Sequence, residues 1–300
     1  MKSNRLIVLL GPTAVGKTSL AIWLAKKLGT EIVSADSRQF YEELKIGTAR
    51  PSEDQLREVR HHFIGHLSIH DEYNISRFEE DALSTLENLF TKYQFAIMVG
   101  GSGLYIRAAC EGIDKMPQSD KNLREKLMKQ YRQEGIESVQ KLLLKVDPDY
   151  YKKVDRLNHV RLIRAIEVSM LTGKPYSEFR KNRSQKRKFD ILKIGLALDR
   201  NELVTRIDKR VNEMMKNGLL QEAEGLYSLR HLNALNTVGY KELFDYMDDK
   251  ISLEEATEKI KINTRRYAKR QMTWFRQDKS IKWFRPEQKE EIVEMVRRKQ

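Results

Sequence analysis

The chain has a single cysteine among its 300 residues, Cys110. One thiol cannot form a disulfide within the chain, and without further cysteines or histidines grouped around it there is no zinc site. Cysteine is among the most frequently buried residue types, so we expect Cys110 to pack as a small apolar side chain. Other residue types must therefore carry the chemistry of this protein.

Long apolar runs are also missing. The first run, Leu6 to Leu10, stops at Gly11 and Pro12, and no later run approaches the length of a membrane span or of a signal-peptide core. With 40% hydrophobic and 33% charged residues, the chain can bury a sizeable core but has no excess apolar surface for a bilayer. We expect a soluble, cytoplasmic protein with no membrane partner.

Acidic residues are too few to balance the basic ones. Fifty-six Lys and Arg oppose 43 Asp and Glu, leaving a net charge of +13, which favours a polyanionic partner. The excess is concentrated in residues 180–188 (RKNRSQKRK) and 265–276 (RRYAKRQMTWFR). Either segment alone could be a solvated linker or a basic surface helix. Together with the net charge, they favour nucleic-acid binding.

Short apolar runs alternate with helical patterns along most of the chain. Runs at 6–10, 31–35 and 94–99 end in turn residues and predict strands, with helical patterns at 17–28 and 76–90 between them. The pair Ser76 and Glu79 resembles a capping box and predicts the start of the second of these helices. The alternation predicts an α/β fold, a P-loop core with a parallel sheet flanked by helices.

The pattern changes in the middle of the chain. Residues 115–189 carry apolar side chains at helical spacing together with many Lys and Arg, and they predict an inserted all-helical lobe. An apolar, β-branched run at 191–198 returns the chain to the sheet, and a last strand is predicted at 281–284. The α/β core then comprises residues 1–114 and 190–300, with basic helices near its C-terminal end.

Residues 11–18, GPTAVGKT, match the phosphate-binding loop GxxxxGK[ST]. The motif follows a predicted strand and opens a predicted helix, which is the context that it requires. Its glycines let backbone N–H groups face a phosphate cluster, while Lys17 supplies positive charge and Thr18 a ligand for Mg²⁺. We expect a phosphate site with Mg²⁺ as cofactor, although the motif alone does not identify the phosphorylated ligand.

The acidic residue of a typical nucleotide hydrolase is missing from its usual place. That residue ends another core strand, but the strand predicted at 94–99 ends in Gly100-Gly101-Ser102, and Asp36 instead follows the second strand. Ligands of parallel α/β sheets lie beyond the carboxyl ends of the strands, so Asp36, Ser102 and the P-loop can share one crevice. This arrangement favours group transfer, although Asp36 could also be a turn or helix-cap residue.

Six motifs follow one another along residues 6–284: GPTAVGKT at 11–18, Asp36-Ser-x-Gln-x-Tyr41, Ile46-Gly-Thr-Ala-Arg-Pro51, Val99-Gly-Gly-Ser-Gly-Leu-Tyr105, Val238-Gly-Tyr-Lys-Glu242 and Arg270-Gln-Met-Thr-Trp-Phe275. Together they closely resemble the bacterial tRNA dimethylallyltransferases. The resemblance implies transfer of a dimethylallyl group from dimethylallyl diphosphate to the exocyclic amine of the tRNA adenosine immediately 3′ of the anticodon. The implied partners are the tRNA anticodon stem-loop and dimethylallyl diphosphate, and we expect a monomer.

The resemblance also implies roles for individual residues. Asp36 would orient and deprotonate the adenine amine, and Thr13 would donate a hydrogen bond near the bridging oxygen of the leaving group. Arg210 would grip the diphosphate from the side opposite the P-loop, although Arg206, one helical turn away, could serve instead. The implied diphosphate-binding residues are Gly11, Pro12, Thr13, Ala14, Val15, Gly16, Lys17 and Thr18. The implied tRNA contacts are Asp36, Ser37, Arg38, Gln39, Ser102, Arg124, Val160, Arg161, Leu162, Ile163 and Arg164.

Two segments depart from the family pattern. Ser102 replaces the usual threonine and keeps the hydroxyl, whereas Asn158-His-Val-Arg161 stands where Asp-Pro-Gln-Arg is common.

On the last basic helix, Arg266, Lys269 and Arg270 share one face, and Tyr267 and Trp274 share another. We assign the charged face to phosphate contact and the aromatic face to packing.

Two other classes of protein share some of these features. A small-molecule kinase would share the fold and the phosphate loop, but it gives no reason for a net charge of +13. A non-catalytic RNA-binding module would explain the basic segments, but not a carboxylate facing a complete P-loop.

Overall fold

The computed structural model of the chain describes residues 4–181 and 184–298. Two compact units are present: an α/β unit, Met1–Cys110 with Lys186–Gln300, and a helical unit, Glu111–Gln185. No helix in the described part of the chain combines the length and the apolar composition needed to cross a membrane.

A parallel sheet forms the centre of the α/β unit. Its strand order is β3-β2-β4-β1-β5-β6, and every pair of neighbouring strands is parallel. The alternating side chains of β1 enter two different cores, because successive residues of a strand point to opposite faces. The strands are β1 Arg5–Leu10, β2 Ile32–Ser34, β3 His61–His62, β4 Phe95–Gly100, β5 Asp190–Leu196 and β6 Lys282–Phe284.

Helices cover both faces of this sheet and surround the helical unit's own core. In the α/β unit, α3 and α4 pack on one face, and α1 and α14 on the other. A third core joins α10, α11, α12 and α13 beyond the sheet. The helices are α1 Lys17–Leu28, α2 Glu53–Glu58, α3 Ile75–Phe90, α4 Gly103–Glu111, α5 Lys121–Glu134, α6 Ile136–Val146, α7 Pro148–Tyr151, α8 His159–Thr172, α9 Tyr176–Phe179, α10 Arg200–Lys216, α11 Leu219–Leu226, α12 Tyr240–Met247, α13 Leu253–Phe275 and α14 Lys289–Arg297.

The helical unit has its own apolar core, built mainly by α5, α6 and α8. The amphipathic spacing of these helices brings Leu127, Leu143 and Leu162 together. Gly135, with φ 79°, makes the sharp joint between α5 and α6, a backbone conformation that glycine adopts without strain.

The predicted fold class is confirmed, and Cys110 is buried as expected. The capping-box prediction at Ser76 is wrong, because α3 begins at Ile75 and its N-cap is Asn74. The Asn74 side chain accepts the Arg77 backbone N–H at 3.0 Å, so a different polar residue caps the helix. Glu79 instead pairs with Arg187.

The basic segment 180–188 is not a uniformly solvated linker. Asn182 and Arg183 lie outside the described residues, but Arg187 is only 8% exposed and pairs with Glu79 at 2.7 Å. Its guanidinium also donates to the backbone carbonyls of Ala108 and Ala109 at 2.6 and 3.0 Å. The expectation that this basic segment serves nucleic-acid binding therefore does not extend to Arg187, because its side chain connects elements of the α/β unit.

Candidate active site

The phosphate loop joins β1 to α1 in a strained, glycine-dependent conformation. Gly16 at the N-cap of α1 has φ 103°, and Ala14 has φ 64°, a left-handed conformation that costs a non-glycine residue energy. A Cβ atom on Gly11 would lie 2.6 Å from the Leu196 carbonyl oxygen at the end of β5. The loop therefore needs glycine both for its turn and for its close approach to the sheet.

Lys17 lies at the base of this loop. Its Nζ donates to the carbonyl oxygens of Gly11 at 3.0 Å and Pro12 at 2.7 Å. Burial lowers the pKa of Lys17 to about 7, Asp36 opposes this shift, and Arg210 adds to it. A buried ammonium beside a second cation is a strong site for an anion.

Arg210 of α10 donates a hydrogen bond to the loop, whereas Arg206, whose guanidinium lies near Gly16, is held by two carboxylates. The Arg210 guanidinium donates to the Thr13 hydroxyl at 3.3 Å, and burial lowers its pKa. Arg206 instead pairs with Glu202 at 2.8 Å and with Glu287 at 3.4 Å. Of the two arginines considered from the sequence, Arg210 is the one that lines the crevice with Thr13.

Asp36 follows β2 at the carboxyl edge of the sheet. The backbone N–H of Ala35 donates to the Val99 carbonyl at 2.7 Å, which extends the pairing of β2 with β4 to this point. The Asp36 carboxylate accepts the Arg38 backbone N–H at 3.1 Å. Asp36 thus stabilises a turn, one of the alternatives left open by the sequence, and it also faces the crevice.

Two cavities open on this crevice and share part of their lining. The polar cavity, of about 200 Å³, includes Lys17, Thr18 and Ser19. The apolar cavity, of about 110 Å³, includes Val211 and Met214. The residues that line both are Thr13, Asp36, Thr48, Ala49, Arg210 and Tyr267. The shared residues mark the place where ligands in the two cavities would meet.

Helix α13 contacts the phosphate loop through a glutamine that sequence reasoning missed. Gln271 is buried, its Oε1 accepts the Thr13 backbone N–H at 2.9 Å, and its Nε2 donates to the Gly101 carbonyl at 2.9 Å. Side chains at Gly101 or Gly103 would collide with Gln271 or Trp274. The glycine-rich end of β4 therefore admits α13, which explains why an acidic residue does not stand there. The motif that contains Gln271 could be recognised in the sequence, but the contact of Gln271 with the distant phosphate loop could not.

A wall of the crevice, residues 45–49, is fixed by Glu222 of α11. The Glu222 carboxylate accepts the backbone N–H groups of residues 45, 46 and 47 at 3.1, 2.8 and 2.9 Å. The Tyr240 hydroxyl donates to the same carboxylate at 2.6 Å, and a Cβ on Gly47 would lie 2.5 Å from the Tyr240 ring. Gln39 Nε2 donates to the carbonyls of Thr48 and Ala49 at 3.1 and 3.3 Å. Glu222 stands in none of the recognised motifs, so its role could not be predicted.

One of the aromatic residues of α13 differs from the expectation. Tyr267 is 37% and Trp274 39% exposed, while Ile260, Ala268 and Phe275 are buried. Trp274 packs against Gly103, as expected, whereas Tyr267 also faces the crevice and is therefore more than a packing residue. Burial raises the pKa of Tyr267 to about 12, and its side chain lines both cavities.

The turn residues that resemble tRNA contacts are held by the α/β unit itself. The Ser37 backbone N–H donates to Ser102 Oγ at 3.1 Å. The Arg38 guanidinium donates to the carbonyls of Asn233 and Ala234 at 2.9 and 3.1 Å. The structure thus brings Asp36, Ser37 and Ser102 together at one edge of the sheet.

The remaining expected contacts lie in the helical unit. Arg124 and Arg164 both donate to the buried carboxylate of Glu167, at 2.7 and 2.9 Å. Burial acts to raise the Glu167 pKa, but hydrogen bonds from Ser119 and these arginines outweigh it and lower the pKa. Val160 is 63% exposed, whereas Leu162 and Ile163 are buried at 0% and 2%. The side chains of Leu162 and Ile163 are core residues, so their assignment as contacts is corrected.

The polar cavity has oxygen donors suited to a magnesium ion carried by a phosphate ligand. Thr18 lies beside Lys17 in its lining, and no cluster of three or more His, Cys, Asp or Glu that could hold a metal occurs in the described residues. Mg²⁺ typically binds through one or two protein oxygens, waters and substrate phosphates. A single hydroxyl next to a phosphate loop fits that kind of site.

Similarity to known proteins extends over nearly the whole chain. A family model described as IPP transferase matches residues 39–278. The tRNA dimethylallyltransferase of Christiangramia forsetii is 53% identical, over 94% of this chain and 93% of its own. The tRNA dimethylallyltransferase 1 of Bacteroides thetaiotaomicron is 50% identical, over 97% and 95%.

Solved structures show the same fold. The tRNA isopentenylpyrophosphate transferase of Bacillus halodurans has a TM-score of 0.72 and 33% identity, covering 98% of this chain and 95% of that one. A eukaryotic dimethylallyltransferase acting on tRNA has a TM-score of 0.75 and 30% identity, covering 91% of this chain and 70% of that one.

Proposed function

The chain belongs to the IPP transferase family of tRNA dimethylallyltransferases, and on that basis we propose that its crevice transfers a dimethylallyl group from dimethylallyl diphosphate to a tRNA adenosine. The observation that carries this proposal is the shared lining of the two cavities. Thr13, Asp36 and Arg210 lie between a cationic phosphate loop and an apolar cavity. A prenyl diphosphate needs both environments, one for each end of the molecule.

The polar cavity suits the diphosphate. The end of the phosphate loop and the N-terminus of α1 offer backbone N–H groups to the anion, and Lys17 and Arg210 supply positive charge. As oxygen departs from the allylic carbon, negative charge accumulates on the leaving group, and fixed cations stabilise that charge. Magnesium, held with the diphosphate at Thr18, would add further positive charge there.

Asp36 suits the acceptor. The amine nitrogen of adenine forms a bond to the allylic carbon while the bond from that carbon to the diphosphate oxygen breaks. The bonding electrons leave with diphosphate, and the amine proton passes to the Asp36 carboxylate. An aromatic amine is a weak nucleophile, and a positioned base accelerates such a step by roughly 10²–10⁴-fold.

The target adenosine is the one immediately 3′ of the anticodon, reached by extrusion of the base from the loop. Arg266, Lys269 and Arg270 are exposed along α13, and we assign them to contact with tRNA phosphates. A cytoplasmic monomer acting on the tRNA anticodon stem-loop is the form in which we expect this activity.

The test is a single-turnover reaction of the wild type and of Asp36→Asn with unmodified tRNA and dimethylallyl diphosphate. The amide keeps the shape of the side chain but is not a useful base, so prenylated adenosine should form with the wild type and fall by about 10²-fold or more with the variant. Binding of tRNA should stay within about threefold, because the substitution is isosteric. Near-normal transfer by Asp36→Asn would remove this carboxylate from the mechanism.

A further inference from the structure

The apolar cavity runs away from the phosphate loop between two helices. Along α10, Arg210 lines both cavities, and Met214, one turn further on, lines only the apolar cavity. Along α13, Tyr267 lines both, and Ile260, two turns earlier, lines only the apolar cavity. The cavity therefore has a near end beside Thr13 and Asp36 and a far end at Met214, Leu219, Val238 and Ile260.

The far end is lined mainly by apolar side chains, and the polar groups of the lining near it are the hydroxyls of Thr237 and Thr264. Leu219 and Ile260 are buried at 0% and 2%, and the methyl groups of Val238 and the thioether of Met214 complete the lining. A purine would leave ring nitrogens facing hydrocarbon there, at a cost for each unpaired polar atom, whereas a hydrocarbon chain would not. The far end of the cavity thus favours a hydrocarbon chain over a purine.

The size of the cavity selects a short chain. Its volume is about 110 Å³, and an engineered apolar cavity of about 150 Å³ accommodates benzene, which has six carbons. A five-carbon group fits the smaller volume, whereas a ten-carbon group would have to extend beyond this cavity. The residue 45–49 wall cannot easily yield, because Glu222 and Tyr240 fix it through the hydrogen bonds described above.

We propose that the apolar cavity binds the prenyl group and that Met214 and Val238, at its far end, limit the prenyl group of the donor to five carbons. This inference rests on the proposed function. It assigns these two residues to donor selection, a role separate from the chemistry at Asp36. Met214 is half-buried, so shortening its side chain lengthens the cavity without emptying a core position.

The experiment compares dimethylallyl diphosphate with geranyl diphosphate, its ten-carbon analogue, as donors to tRNA. For Met214→Ala, the ratio of kcat/KM for the five-carbon donor to kcat/KM for the ten-carbon donor should fall by about tenfold or more. Met215→Ala is the matched control, because Met215 is half-buried on the same helix but does not line the cavity. Its donor ratio should equal that of the wild type.

A second variant fills the same space. Val238→Phe should lower kcat/KM for dimethylallyl diphosphate by about tenfold or more, while inorganic diphosphate binds within about twofold of the wild-type affinity. Normal diphosphate affinity shows that this variant is folded. The inference would be overturned if Met214→Ala kept the wild-type ratio of kcat/KM for the two donors and Val238→Phe kept the wild-type KM for dimethylallyl diphosphate. It would also be overturned by a change in the tRNA KM alone, which would place adenine in the cavity. Absence of dimethylallyl transfer by the wild type would instead refute the proposed function.

Discussion

Lys17 and Arg210 both place positive charge in the crevice. Burial lowers the pKa of both side chains, and each also lies close enough to Asp36 for that carboxylate to oppose the shift. In the free protein these two cations repel each other, and an anionic ligand relieves that repulsion. The site is therefore organised for a diphosphate before the diphosphate arrives, which is the condition for electrostatic catalysis.

The pKa of Lys17 predicts a pH dependence of ligand binding. The folded-state pKa of Lys17 is about 7, below its ordinary value of 10.5. Between pH 7 and pH 10.5 the unfolded chain therefore binds more protons than the folded chain. The free energy of unfolding of the ligand-free protein then rises with pH over this range. Inorganic diphosphate should restore the charge on Lys17. Binding of inorganic diphosphate should therefore be accompanied by uptake of a proton above pH 7. The affinity of the protein for diphosphate should weaken as the pH rises.

Titration calorimetry in two buffers with different heats of ionisation measures this proton uptake. We expect an uptake of about one proton at Lys17 near pH 8.5. Lys17→Met is the control, since it keeps the length of the side chain and loses its titration. Equal proton uptake by the wild type and by Lys17→Met would assign the titration to another group.

Single residues with a local signal were predictable, and those with a distant partner were not. Asp36 and Lys17 stand in recognisable motifs beside predicted strand ends, and both line the crevice. Gln271 and Glu222 act through residues far away in sequence, at Thr13 and at residues 45–47. Side-chain periodicity contains no information about such contacts, because it reports only which face of a helix is apolar.

At the scale of elements, α13 does two things at once. One face packs on the core through Ala256, Ile260 and Ala268, while Gln271 connects the helix to the phosphate loop and to the end of β4. Loss of this connection should affect both stability and ligand binding.

We predict that Gln271→Met lowers the free energy of unfolding by about 1–3 kcal/mol, because it leaves a buried N–H at Thr13 and a buried carbonyl at Gly101 without these hydrogen bonds. Affinity for inorganic diphosphate should fall as the loop loosens. Denaturant unfolding and calorimetry measure the two effects. Gln277→Met, at an exposed position just past the helix, should change neither, and wild-type stability of Gln271→Met would contradict the role given to this side chain.

A second prediction at this scale concerns the segment that returns the chain to β5. Arg187 is only 8% exposed where it pairs with Glu79 of α3, and removal of one partner from such a pair costs about 3–5 kcal/mol. Arg187→Met should therefore lower the free energy of unfolding by about 3 kcal/mol. Lys188→Met, at a side chain that is 89% exposed, is the control. Equal unfolding midpoints for the two variants would show that the Arg187 pair is not structural.

Elements themselves were predicted best where the hydrophobic pattern was long. The run at 94–99 became β4, Phe95–Gly100, and 6–10 became β1, Arg5–Leu10. The two-residue strand β3, His61–His62, was missed, since two residues cannot show an alternation. The start of α3 was misplaced because two polar residues, Asn74 and Ser76, could each cap it, and the backbone geometry that decides between them is not local to the motif.

At the scale of the whole molecule, a P-loop fold serves group transfer to RNA. The parallel sheet brings the phosphate loop, Asp36 and the glycine-rich end of β4 to one edge. Folds of this class serve many functions, so the fold alone left a kinase possible. The close packing of Gln271 against Gly101 leaves no place there for the acidic side chain of a nucleotide hydrolase.

The most direct test of the account is one reaction that contains the enzyme, unmodified tRNA, dimethylallyl diphosphate, Mg²⁺ and ATP. Released diphosphate and phosphate are measured together with the modified nucleosides, which mass spectrometry identifies. We predict one diphosphate released for each dimethylallyl group added to the adenosine immediately 3′ of the anticodon, at the same rate when ATP is omitted. Release of phosphate from ATP that tRNA stimulates, without formation of a prenylated nucleoside, would contradict the account.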